Sequence, residues 1–316
     1  MPAGPQTDDA RGVLRKMEGQ LRQLETAARR APRSYNFVVL SDHGQSTGAT
    51  FRQRYGIALD QLVQRLIHPE ADVQVASGSG EGLGQVHALL SEATNVGGAL
   101  ARGARRLVRY VDLPRPEADD PAAVARVAPA EVVVCASGNL ALVYFAQRPG
   151  RLSLEAISQA FPRLLDGLVQ HPGIAFLLVA SEAIGPLVLG RHGRRSLNDD
   201  SVTGDDPLAA FSPQTPAFLR RLAAYSNVGD IVVNSVFERE TGQVAAFEEL
   251  IGCHGGAGGA QTQPFVLYPA EWGEPACPIV GAEQLHQFLS QHVTKPRPGQ
   301  VPVSSGGREQ EASENG

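Results

Sequence analysis

The chain has 316 residues, 42% of them hydrophobic and 19% charged, enough to bury a full core as one large or two modest domains, so disorder throughout is excluded. Its 28 Lys and Arg against 33 Asp and Glu give a formal charge of -5 with no basic stripe, which argues against a nucleic-acid partner.

Residues Val13, Leu14, Met17, Leu21, Leu24 and Ala28 recur at spacings of three and four behind Thr7 or Asp8 as N-cap, which predicts an amphipathic helix. After the break at Pro32, Tyr35 to Leu40 is a β-prone run with almost no polar interruption, expected for a strand buried on both faces. A helical pattern at 58–67, a strand at 72–76 and a helix at 84–102 continue the alternation. It predicts an α/β fold with a mostly parallel sheet flanked by helices. Pro114, Pro116, Pro121 and Pro129 then mark a surface excursion.

Two apolar runs at 131–136 and 140–145 flank Ser137-Gly138-Asn139, the turn chemistry of a hairpin. A helix begins at Ser153, and Pro162 must kink or divide it. A strand at 174–180 and a hairpin-like pair at 186–189 and 191–197 complete what reads as a small α+β insertion. A helix at 215–225, a buried strand at 231–236, a short strand at 265–267 and a helix at 282–291 follow. The expected organisation is a first part of the α/β domain over 1–112, the insertion over 113–205, a return to the domain over 206–293, and a disordered tail over 294–316.

Cys135, Cys253 and Cys277 are widely spaced and odd in number, against a disulfide scaffold or a paired-cysteine metal knuckle. No apolar run approaches the roughly 18 to 20 residues of a membrane span, and the first residues hold no secretory signal pattern. As written, the chain reads as soluble and cytoplasmic.

The sharpest local signal is Ser41-Asp42-His43-Gly44, at the carboxyl end of the expected 35–40 strand, the edge where open α/β sheets bind ligands. A carboxylate and an imidazole on consecutive residues can converge on one divalent cation if the chain turns sharply, which Gly44 permits. The same residues also suit turn-forming and capping. Far downstream, Gly252-Cys253-His254-Gly255-Gly256-Ala257-Gly258-Gly259 holds one imidazole among glycines that let backbone pass close to a ligand. Cys253 has no identifiable base to make it a nucleophile.

Together, FVVLSDHGQS at 37–46, the preceding amphipathic helix and the later GCHGG loop resemble the alkaline phosphatase superfamily, nearest its type I phosphodiesterase and nucleotide pyrophosphatase-like branch. The resemblance covers Val13 to about Pro269. It implies two divalent cations, usually zinc, with Asp42 and His43 as ligands of one and His254 as a ligand of the other. The implied chemistry is hydrolysis of a phosphodiester or related phosphate ester of a small molecule.

The family also uses an earlier Asp, a Thr or Ser nucleophile and an Asp-x-x-x-His pair, none of which this sequence shows. Two ligands for one ion and one for the other fall short of the three protein ligands of a catalytic zinc. The sequence thus reads as the C-terminal portion of a longer enzyme, little active alone, and the resemblance leaves membrane attachment of the complete protein open because some members carry membrane segments before the catalytic domain. The alternative is a noncatalytic remnant that binds metal, phosphate or protein. Loss of an opening strand predicts an uncovered sheet edge open to association. Ser41, Ser46 and Thr47 read as turn caps, Asp199, Asp200, Asp205 and Asp206 as a solvated loop, the 191–195 RHGRR run as a hairpin tip, and Trp272 as a packing anchor.

Overall fold

The computed structural model describes residues 8–68, 73–77, 131–250 and 252–293. The expected helix at 84–102, the proline-rich excursion and the 294–316 tail lie outside them. In chain order the elements are α1 (Asp8–Ala28), β1 (Val39–Leu40), β2 (Ser46–Thr47), α2 (Phe51–Tyr55), α3 (Leu59–Ile67), β3 (Val73–Ser77), β4 (Val132–Ser137) and β5 (Leu140–Tyr144). Then come α4 (Leu154–Ala160), α5 (Leu164–Gln170), β6 (Ile174–Ser181), β7 (Gly185–Gly190), β8 (Gly193–Ser196), β9 (Val202–Gly204), α6 (Thr215–Ala223) and β10 (Ile231–Ser235). The chain closes with β11 (Phe237–Glu238), β12 (Gln243–Val244), β13 (Gly252–Cys253), β14 (Val266–Leu267) and α7 (Gly281–Val293).

Helices and strands are mixed, as expected, but the sheet corrects the parallel reading. Eight strands run in the order β3-β4-β5-β10-β6-β7-β8-β9. Only β3 and β4 are parallel, and every later neighbour is antiparallel. This is not the mostly parallel sheet of an alkaline phosphatase-like domain. The apolar runs that suggested parallel strands arise because both faces of the antiparallel sheet are covered. On one face Leu177, Val179, Ile231 and Val233 pack with Val63, Ile157, Leu164 and Leu168 of the helices. On the other, Phe176, Leu178 and Val232 pack with Leu208, Leu219 and Val228. Two-sided burial removes the polar alternation whatever the strand direction.

Local chemistry explains the connections. Gly138, with φ of 57°, opens the two-residue turn that pairs Ser137 with Leu140, the position a tight hairpin gives to glycine. Ser153 caps α4 by accepting from the Ala156 N–H at 3.1 Å, and Pro162 separates α4 from α5 as expected. Strands from both the expected insertion and the expected return share the one eight-stranded sheet.

The run at 35–40 departs further from expectation. Only Val39–Leu40 is a strand, and Tyr35 and Leu40 are 53% and 45% exposed, so it is not buried on both faces. No helix among the described residues is long and apolar enough to cross a membrane.

By internal contacts the chain forms two units, 1–26 with 40–265, and 27–39 with 266–316. The eight-stranded sheet and both apolar clusters belong to the first. In the second, Tyr268, Trp272, Phe288 and His292 form an aromatic cluster, with the Trp272 indole stacked on the His292 ring at 4.4 Å. Trp272 is therefore a packing anchor.

Candidate functional site

Two strands of two residues each bring together the motifs that lie 211 positions apart. β2 and β13 pair antiparallel with Cys253 opposite Ser46 and Gly252 opposite Thr47. That pairing sets His254, the residue directly after β13, beside the turn that carries His43, three residues ahead of β2. Their rings stack with centroids 3.8 Å apart and planes inclined by 18°.

His43 is held locally. Its Nδ1 lies 2.6 Å from the Gly44 carbonyl oxygen, which only accepts, so in the neutral ring Nδ1 carries the proton and Nε2 keeps the lone pair. Asp42 Oδ1 accepts the His43 backbone N–H at 2.9 Å and lies 3.6 Å from His43 Nε2. The Asp42 side chain is 86% exposed and that of His43 36%. An imidazole whose Nδ1 is tied to a carbonyl presents Nε2 as a ligand nitrogen, a common arrangement at metal centres.

The chain bends at Asp42 and His43, and Gly44 answers a further need beside that bend. A Cβ there would sit 1.9 Å from the Ala260 carbonyl oxygen, and its N–H donates to the Gln261 carbonyl at 2.9 Å. The glycine is required by close backbone approach rather than by a left-handed turn.

The loop after β13 is fitted against the end of the β4–β5 hairpin. A Cβ on Gly138 would fall 1.9 Å from the His254 carbonyl oxygen, and one on Gly256 2.3 Å from Asn139 Oδ1. Beneath the loop, Asn139 and Asn234 are fully buried and Gln261 nearly so. Asn139 Nδ2 donates to the Ala257 carbonyl at 3.0 Å, and the Ala257 N–H donates to Asn234 Oδ1 at 2.7 Å. Gln261 Nε2 donates to Asn139 Oδ1 at 2.7 Å and to the Gly258 carbonyl at 2.8 Å. The side chains thereby replace the ladder partners that irregular backbone lacks. Asn234 stands at a bulge in β10, where the pairing register with β6 shifts.

These amides were not among the expected site residues. The signal for Asn234 is its position as a lone amide inside the apolar run Ile231-Val232-Val233-Asn234.

Cys253 is buried, and burial followed by the Glu248 carboxylate pushes its thiol up to about 11, which removes it as a nucleophile at neutral pH. Two of the hydroxyls expected to cap the local turn tie distant backbone to it instead. Ser46 Oγ accepts the Gln261 N–H at 3.1 Å, and Ser41 Oγ accepts the Phe265 N–H at 3.0 Å. The acidic loop is structural as well. Arg195 pairs with Asp200 at 2.9 Å and Asp206 at 2.6 Å, while the Ser196 and Ser201 hydroxyls hold the Asp199 carboxyl down to about 2. Arg191 and His192 occupy the tip between β7 and β8.

As metal ligands, Asp42, His43 and His254 suit zinc in type but do not close a site. In-plane lone pairs of two rings so nearly parallel do not meet at one ion about 2 Å away, so the stack fits two neighbouring ions or none. Among the described residues, no three His, Cys, Asp or Glu side chains gather closely enough to hold a metal ion. Compared with protein-family models, curated proteins and solved structures, the chain matches none.

Proposed function

We propose that this chain contributes Asp42, His43 and His254 to the binuclear metal site of a phosphate-ester hydrolase related to the alkaline phosphatase superfamily. The observation that carries the reading is the 3.8 Å stack of two imidazoles from distant motifs. If such a site formed, His43 would serve one ion and His254 its neighbour, with Asp42 beside the first. When bound, such ions polarise the ester and stabilise the attacking and departing oxygens. The chain's own part is to orient the rings: the Gly44 carbonyl fixes the His43 tautomer, and the Asn139 and Asn234 amides fix the loop that carries His254. The antiparallel sheet lends the reading no support, so it rests on the side chains alone.

A second reading, a noncatalytic module that binds metal or phosphate through the same residues, draws on the unfilled coordination. Calorimetric titration of the purified chain with zinc tests both. Binding is expected, weakened at least about ten-fold by His43→Ala and by His254→Ala, because each removes one of few ligands. Unchanged zinc binding in both variants, together with no binding of inorganic phosphate that either variant weakens, defeats the two readings. Sustained cleavage of a diaryl phosphodiester by this chain, abolished by His43→Ala, would select the enzyme over the module.

A further inference from the structure

We propose that α1 is a self-recognition element through which two copies of this chain pair as an antiparallel two-helix coiled coil. This rests on none of the metal-site assignments. The helix has 21 residues and buries none of them, with Val13, Leu14, Met17 and Leu24 all more than half exposed. It also contains Gly12 and Gly19, each costing about 1 kcal/mol relative to alanine in a helix interior. An isolated helix of this length and composition is marginal in water, so its stability calls for a partner.

The pattern identifies that partner. Ala10, Leu14, Met17, Leu21, Leu24 and Ala28 follow one another at spacings of four, three, four, three and four. That unbroken alternation of four and three is the heptad pattern, the seam of a supercoiled helix pair. Both glycines fall at positions facing away from the seam, where their lack of a side chain costs no contact. Arg11, Glu18 and Glu25 line one flank of the seam, and Val13, Gln20 and Ala27 line the other.

Charge sets the direction. In an antiparallel pair that places Leu14 against Leu24 and Met17 against Leu21 of the second copy, like flanks meet. Arg11 then faces Glu25 twice, Val13 faces Ala27 twice, and Gln20 meets Gln20. Glu18 meets its own copy near the centre, and Arg22 of the same helix holds that carboxylate at 2.6 Å. A parallel pair would instead set Gln20 against Glu25 and Val13 against Glu18, with no opposite charges in contact.

Light scattering on the full chain, over a range of concentrations, is expected to show a monomer–dimer equilibrium that Leu21→Glu shifts fully to monomer without lowering the cooperative unfolding transition. Arg11→Glu is expected to raise the dimer dissociation constant about ten-fold, and Arg11→Glu with Glu25→Arg to restore it. With exposed Cys277 replaced by serine, oxidation is expected to cross-link Gln20→Cys but not Leu21→Cys. A wild-type monomer at every concentration, a dimer that survives Leu21→Glu, or cross-linking of Leu21→Cys alone would each overturn the proposal. The first would point to another segment of this chain as the cover, the second to a different interface such as a sheet edge, and the third to a parallel pair.

Discussion

The loop that carries His254 and the turn that carries His43 are held in different ways. Around His254, Gly138 and Gly256 leave no room for a Cβ, two buried asparagines grip Ala257, and Gln261 ties the hairpin to the loop. Around His43, the neighbouring carboxylate is almost wholly exposed, and the ring is anchored by one hydrogen bond to the next residue's carbonyl. The backbone on either side of His43 is itself tied through Ser41 and Gly44 to residues 261–265, so the difference lies in the side chains: His254 sits on a loop gripped by buried amides, while the His43 ring and the Asp42 carboxylate have only short-range bonds. A site assembled this way has a rigid half and a half whose side chains adjust at little cost in folding free energy.

That asymmetry can be broken from the rigid side first. Gly138→Ala adds a methyl in a left-handed conformation and against the His254 carbonyl, and should cost about 3 kcal/mol in urea denaturation. Asn139→Ala leaves the Ala257 carbonyl and the Gln261 amide without their buried partner, an expected loss of about 2 kcal/mol by the same measurement. If either variant melts like the parent, the loop is not held as described.

A third test uses pH. The Cys253 thiol is raised in the folded state, so the unfolded chain releases that proton first. The stabilisation is complete below the unfolded thiol's range and is lost as pH climbs from about 9 toward about 11, a fall of no more than about 3 kcal/mol. Cys253→Ser should flatten that part of the stability profile. The smallest effect belongs to the adjustable side: Asp42→Asn should move stability by less than about 0.5 kcal/mol while weakening zinc binding. A large stability loss there would mean that the two halves are equally fixed.

The sequence discloses the candidate ligands better than the frame that unites them. Asp42, His43 and His254 stand out because polar rings and carboxylates beside glycine have few purely structural uses. The ladder that joins them escapes notice because Ser46–Thr47 and Gly252–Cys253 are too short to show a period of two. Strand direction at β6 and β10 is hidden for another reason, since residues covered on both faces read alike in parallel and antiparallel sheets. At Gly44 the sequence shows that a side chain is missing but not which distant backbone fills its space.

The parallel placement of the two imidazoles also makes the pair its own spectroscopic probe. Rings this close shield one another's carbon-bound protons, so both histidine resonances should be displaced upfield whenever the stack is closed. Separation of the loops, whether by heat, mutation or a bound cation, would relax both signals together and reveal the opening without any substrate.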